Sequence, residues 1–307
     1  MISVILAKKI LSLFIMMLMS MAMVKFKILK ASDSKVMSLL LLYLFFPCVI
    51  LVSFQVDFTS EIQAGLLLGT VAAIAIHVIL IAIGSLLQKF FHLNAVEMCS
   101  TIYSNSGNLI IPLVTSVLGP EWVIYTSSFL AVQLVLFWTH MKSSLAGETH
   151  MDFKAIFTNA NMIAIIIGIV LLFTGWRFPE PANDAFRAMG AVVGPSAMII
   201  AGILLGETTW EKVKSYKRLP FVVALRLAII PVIIMCFLKY SGLAGMVKDG
   251  ETILLITLLA TATPSATTIV SMATLFGNDG EYASVINVVT ATLCTLTMPI
   301  IVWLYQI

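Results

Sequence analysis

Two clusters of polar and helix-breaking residues stand where the surrounding sequence is almost wholly apolar. The first is Ser104 to Pro112, SNSGNLIIP; the second is Thr261 to Ser265, TATPS, continued by Thr267 and Thr268. In the first, Pro112 has no N–H and clashes with the carbonyl four residues back, on Asn108. Gly107 adds backbone freedom. Asn105 and Asn108 bring amides that are costly in lipid unless paired. Backbone of this kind is tolerated at membrane depth only where it is buried in protein or lines a wet cavity. A helix that unwinds there points the N–H groups of its second half into that cavity, an end that is partly positive and suits an anion. In the second cluster, hydroxyls flank Pro264 and are placed either to satisfy freed carbonyls or to face a substrate. The plainer alternative is a proline kink, with amides joining helices and hydroxyls bonded back to their own helix. The clusters together favour a binding site: Asn105, Gly107, Asn108 and Pro112 from one, Thr263, Pro264 and Ser265 from the other.

Other polar residues lie within apolar runs. His77 is a candidate to carry a coupling proton, or else a neutral histidine bonded between helices. Arg226 cannot discharge, so it must meet a carboxylate, carbonyls, water or a bound anion; a structural ion pair is the expected role. Glu97 is expected to cap the run it opens. Asn161, Gln133 and Asn287 are expected to bond between helices. Gln133 and Asn287 fall in corresponding runs and are expected to line the meeting of the two clusters; Asn287 is placed with the binding residues. No Asp or Glu sits deep in an apolar run, so a coupling sodium ion or proton would have to use carbonyls, hydroxyls, amides or His77. There is no His-Glu-x-x-His zinc pattern, no paired-Asp motif and no Ser/His pair at depth, which argues against an intramembrane enzyme. The four cysteines, Cys48, Cys99, Cys236 and Cys294, lack metal-like spacing and read as packing residues. No metal site and no cofactor is expected.

The elements that must hold these residues are membrane helices. Of 307 residues, 60% are hydrophobic and 11% charged, with mean hydropathy +1.06; soluble domains carry about 25% charge. A net charge of +3 gives no reason to expect nucleic acid. Ten apolar runs are long enough to cross a bilayer: 8–25, 37–55, 64–89, 97–118, 121–141, 155–175, 187–206, 218–238, 251–275 and 282–305. The first is read as an uncleaved span, because Lys25, Lys27, Lys30 and Lys35 follow it and no small-residue cleavage site does. With the N-terminus outside, the inner connections carry eleven Lys and Arg and the outer ones six, which places both termini outside. The connections are too short to hold a signalling domain.

Ten spans divide into two fives, residues 1–150 and 151–307, and an odd number per half makes the halves opposite in orientation. Pro47 answers Pro195 in spans 2 and 7; Pro112 answers Pro264 in spans 4 and 9. Interrupted helices at matching positions of two halves point to a site built from inverted repeats.

The runs SNSGNLIIPLVTSVLG, with EW close behind, and ATPSATTIVSMATLFGNDGEYASVINVVTATLCTLTMPIIV resemble the auxin efflux carrier family, which includes the plant PIN-formed carriers. FFPCVI in span 2 and LRLAIIP in span 8 extend the resemblance over essentially the whole chain. Asn108 and Pro112 match the family's span-4 motif, and Pro264 its span-9 proline. Ile110 and Ile111 depart from the glycine and leucine common before the first proline, and Thr263 and Ser265 from the residues common around the second. The resemblance implies an all-α polytopic membrane protein with two inverted five-helix repeats, whose broken helices 4 and 9 cross near the bilayer midplane. It implies a scaffold of spans 1, 2, 6 and 7, and a transport domain of spans 3–5 and 8–10 that moves as an elevator. It further implies a homodimer through the scaffold in the cell membrane. The activity implied is secondary transport, chiefly efflux, of small organic anions such as auxin-like or dicarboxylate compounds. Sodium-coupled uptake, as in the related bile-acid symporters, is the alternative.

Overall fold

A computed structural model describes residues 2–148 and 152–307; the expected repeat boundary at 150/151 lies outside them. Every regular element among the described residues is helical, and the only extended pairing there is one isolated antiparallel bridge, Ser104 to Ser265. Six helices are long and apolar enough to cross a membrane: α2 (Ser34–Ser53), α3 (Ser60–Phe91), α6 (Pro120–Ala146), α9 (Glu180–Glu207), α11 (Leu219–Tyr240) and α14 (Gly280–Gln306). Helix α1 (Ile2–Lys25) adds 24 residues. The rest are shorter: α4 (Ala95–Ile102), α5 (Ser106–Val117), α7 (Phe153–Phe157), α8 (Ala160–Thr174), α10 (Trp210–Ser215), α12 (Gly250–Thr261) and α13 (Thr267–Leu275).

Local chemistry explains several boundaries. Asn94 and Glu97 form a reciprocal capping box that starts α4, with the Glu97 N–H donating to Asn94 Oδ1 at 2.9 Å and the Asn94 N–H to Glu97 Oε2 at 3.0 Å. Asn159 accepts from the N–H groups of Asn161 and Met162 and restarts the chain as α8. The run expected at 155–175 is therefore two helices rather than one. Asn161 lies in the first turn of α8, its Oδ1 buried with no partner among the described residues; the expected interhelical bond is not found among them.

The interruption expected around Pro112 is displaced. The helix opens at Tyr103–Asn105, and both Gly107 and Pro112 lie inside α5. Gly107 is helical, and a Cβ there would meet nothing closer than 3.9 Å, so the break does not depend on it. Pro112 removes only the donor that would have served the Asn108 carbonyl, a cost one helix can carry. In the other half the chain opens between Thr261 and Thr267, with Pro264 at its centre, because the residue before a proline is driven out of the helical region.

Contacts between connections fall at two separate ends. Arg218 bonds the carbonyls of Phe91 and His92, and Asn278 Nδ2 that of Leu145. Elsewhere Arg177 meets Asp57 at 2.8 Å, and Lys248 meets Glu61 at 3.1 Å. Glu61 and Phe91 sit at opposite ends of α3, whose 32 residues span about 48 Å.

Helices α1 and α9 approach most closely through glycine. A Cβ on Gly202 would collide with Ser20 Oγ and the Met17 carbonyl, and one on Gly206 would lie 2.6 Å from Val24 Cβ. Small residues at such spacing let membrane helices meet backbone to backbone. Gly202→Val is expected to lower the melting temperature of the purified protein, a cost of at least ~1–3 kcal/mol from overpacking. Gly245→Ala, where nothing lies within 4 Å, serves as the unchanged control.

Candidate functional site

The two breaks meet each other. The Asn105 N–H donates to the Pro264 carbonyl at 2.8 Å, and the Ala266 N–H donates to the Tyr103 carbonyl at 3.1 Å. Each opened segment thus serves as the other's strand, which supplies backbone partners that neither helix provides after unwinding.

Side chains from the helix after each break complete the pairing. Gln133 of α6 is buried; its Oε1 accepts from the N–H and Oγ of Ser104, and its Nε2 donates to the Ser104 carbonyl and Ser106 Oγ at 2.9 Å each. In the other half, Asn287 Nδ2 of α14 donates to the Ser265 carbonyl, and the Ser265 N–H donates to Thr290 Oγ1 at 3.2 Å. Gln133 and Asn287, expected as corresponding residues, play corresponding parts. Thr290 escaped the sequence reading, although its place three residues after Asn287 puts it on the same helical face.

Arg226 is wholly buried, and among the described residues it pairs with no carboxylate. The expected ion pair is absent. Its guanidinium instead donates to the carbonyls of Thr101 (3.1 Å) and Ile102 (3.4 Å), where α4 ends, and of Thr261 (2.7 Å) and Thr263 (2.7 and 3.1 Å), where α12 ends. Helix C-termini leave carbonyls unpaired and carry roughly half a negative charge each. Two such ends roughly balance one guanidinium. A π-turn at Leu225–Ile229, ahead of Pro231, inserts an extra residue into α11 at this point.

Directly after the paired segments, α5 and α13 begin. A cavity of about 60 Å³ lies there, lined by Asn105, Asn108, Pro264, Thr267 and Asn287. Its apolar wall comes from α1 and α9, with Met17 and Ala201 among the contributors, and from Cys294 and Met298 of α14. The side chains of Asn105, Asn108 and Thr267 are only partly buried and make no hydrogen bond with a described residue. They are donors and acceptors available to a ligand.

Two stretches, residues 5–151 and 148–302, each match the model of the family described as membrane transport protein. This chain belongs to that family. Its members include the auxin efflux carriers that the sequence resembles, and they are transporters rather than enzymes. No curated protein matches the chain. The double match means that each half of this membrane transporter carries the family pattern once, and each half contributes one break to the pairing.

The sequence-selected residues of the transporter separate into three groups. Asn105, Asn108, Pro264 and Asn287 meet at the cavity. Thr263 and Ser265 belong to the pairing itself: the Thr263 hydroxyl bonds back to the Ala260 carbonyl at 2.9 Å, whereas Ser265 Oγ is buried with no partner among the described residues. Gly107 and Pro112 lie apart from that cavity; Pro112 borders a separate space of about 450 Å³ with Lys9, Ser116 and Gly194. His77 also stands away from the cavity lining. Its Nδ1 bonds the Ala73 carbonyl at 2.8 Å and its ring rests on Phe129.

Glu97 is buried at the start of α4, where it caps the helix as expected, accepts from Tyr282 Oη at 3.2 Å and meets Arg218 at 3.4 Å. Tyr216 stacks on Tyr282 nearby. Burial, joined by the carboxylates of Asp279 and Glu281, pushes the Tyr216 phenol up from its ordinary range. This cluster fixes the end of α4 farther from the cavity.

Proposed function

We propose that this transporter is a secondary carrier of small organic anions, exporting auxin-like or dicarboxylate compounds through a site at the two breaks. The observation that carries the reading is the cavity at which Asn105, Asn108 and Thr267, whose side chains bond to no described residue, stand at the starts of two helices. First-turn N–H groups lack intrahelical partners, and each helix start carries roughly half a positive charge. A carboxylate placed there meets N–H groups, carboxamides and a favourable potential without any fixed counter-cation in the cavity wall. The apolar wall suits the non-ionic body of the substrate.

The reading extends to the whole molecule as ten spans in two inverted five-helix repeats, with the α4/α5 and α12/α13 pairs as the crossing fourth and ninth. It places the protein in the cell membrane with both termini outside. The cavity wall supports an elevator: one side comes from α1 and α9, spans 1 and 7 of the scaffold, and the other from α5, α13 and α14 of the transport domain. At about 60 Å³ the space is smaller than the ~150 Å³ cavity that admits benzene. Loading an organic acid therefore requires the two sides to part. Moving one charge through 100 mV contributes about 2.3 kcal/mol, enough to drive an anion without a second ion.

The test is flux of candidate carboxylates in proteoliposomes, wild type against Asn108→Ala. Transport is expected to fall at least tenfold, with the melting temperature little changed because the side chain makes no hydrogen bond to a described residue. Wild-type flux in the variant would remove Asn108 from the site. Absence of carboxylate flux in the wild type would remove the substrate class.

A further inference from the structure

We infer that Arg226 is a built-in replacement for a coupling cation, so that the transporter works without sodium. The inference deepens the proposed function by settling what drives it, but its stability arm stands without any knowledge of the substrate.

The carbonyls that Arg226 occupies form the ligand set a free cation would use. Unwound backbone carbonyls and the C-terminal ends of half-helices are where coupling ions bind in transporters with discontinuous helices. Here those positions are the carbonyls of Thr101, Ile102, Thr261 and Thr263, all converging on one guanidinium. The side chain is wholly buried, and no carboxylate among the described residues neutralises it. Its charge is matched by the two helix ends themselves, each worth roughly half a unit. A sodium ion entering the same place would meet a fixed positive charge and carbonyls already engaged. Arginine does not deprotonate in proteins, and its side chain is tethered to α11, so it can neither dissociate nor be exchanged across the membrane. The pairing of the two breaks is therefore held together in every step of the cycle, with or without ions in solution. The other route to sodium coupling, a buried carboxylate near the breaks, is missing from the lining of the cavity.

The experiment compares full-length wild type, Arg226→Ala and Arg226→Lys in detergent, in sodium, potassium or choline chloride at equal ionic strength. Wild type is expected to melt at the same temperature in all three salts, within about 1 °C. Arg226→Ala vacates the carbonyl cage. It is expected to melt lower in choline and to regain roughly 3–5 °C in sodium, as a bound ion stabilises the folded state. Arg226→Lys, which keeps a tethered charge, is expected to lose some stability and show no sodium effect. Two results overturn the inference: a wild type stabilised by sodium, or a folded Arg226→Ala protein that melts identically in every salt. If Arg226→Ala yields no folded protein, the wild type and Arg226→Lys decide, since a sodium response in either contradicts a filled site. Flux of the wild type with sodium replaced by choline provides the second arm: unchanged flux supports the inference and sodium-dependent flux overturns it. Failure to find any organic anion flux, with the melting pattern intact, sinks the substrate proposal alone.

Discussion

Arg226→Met is expected to cost the protein about 3–5 kcal/mol of stability and to abolish transport, the largest effect of any single substitution. Methionine fills a similar volume but donates nothing. The carbonyls of Thr101, Ile102, Thr261 and Thr263 are left buried without a partner, at ~1–3 kcal/mol each before relaxation, and the loss of one member of a buried charged network falls in the same range. The damage is concentrated because one side chain serves both halves of the molecule. Thermal melting of the purified variant reads the first effect. Flux normalised to folded protein reads the second. A variant that melts with the wild type would show that water satisfies those carbonyls and that the guanidinium is not the tie between the breaks. Arg226→Lys should fall between the two, since an ammonium offers charge but not the planar fork that reaches both helix ends.

Gln133→Leu is the second large effect. The carboxamide satisfies the Ser104 N–H, the Ser104 carbonyl and the hydroxyls of Ser104 and Ser106, all within a buried segment. Leucine keeps the volume and strands all four groups, at an expected cost of about 2–4 kcal/mol. Asn287→Leu offers a contrast. It removes a single bond to the Ser265 carbonyl and lies on the cavity, so transport should fall further than the melting temperature. The comparison separates residues that build the pairing from residues that face its ligand. It is read from melting and flux on the same preparations, and equal loss of both in the two variants would erase the distinction.

Much of this was legible in the sequence for a simple reason: polar and helix-breaking residues are expensive in lipid, so each one in an apolar run marks a place where protein replaces lipid. Asn105, Asn108, Pro264 and Asn287 stood out on that ground, and the structure gathers them at one cavity. Gln133 and Asn287 were paired from their matching runs alone. Pro112 misled, because a proline marks a missing donor without saying whether the helix will open there. The chain opened instead at Tyr103–Asn105, where Pro264, Ala266 and Gln133 offer bonds in exchange. Arg226 misled in another way. Its charge promised a carboxylate, yet helix ends carry charge that no residue letter displays.

What the sequence determined by itself was the solvent, the helical class and the duplication: apolar runs of bilayer length leave few options other than helices, and punctuation at matching positions exposes the two halves, each of which matches the family pattern. What only the tertiary structure decided was the location of the breaks, the cage around Arg226 and the lining of the cavity. These depend on which unpaired backbone groups come within about 3 Å of a partner, as the Tyr103 carbonyl does of the Ala266 N–H and the Thr101 carbonyl of the Arg226 guanidinium. Such residues lie more than a hundred positions apart in the chain, and local pattern carries no record of distances at that separation.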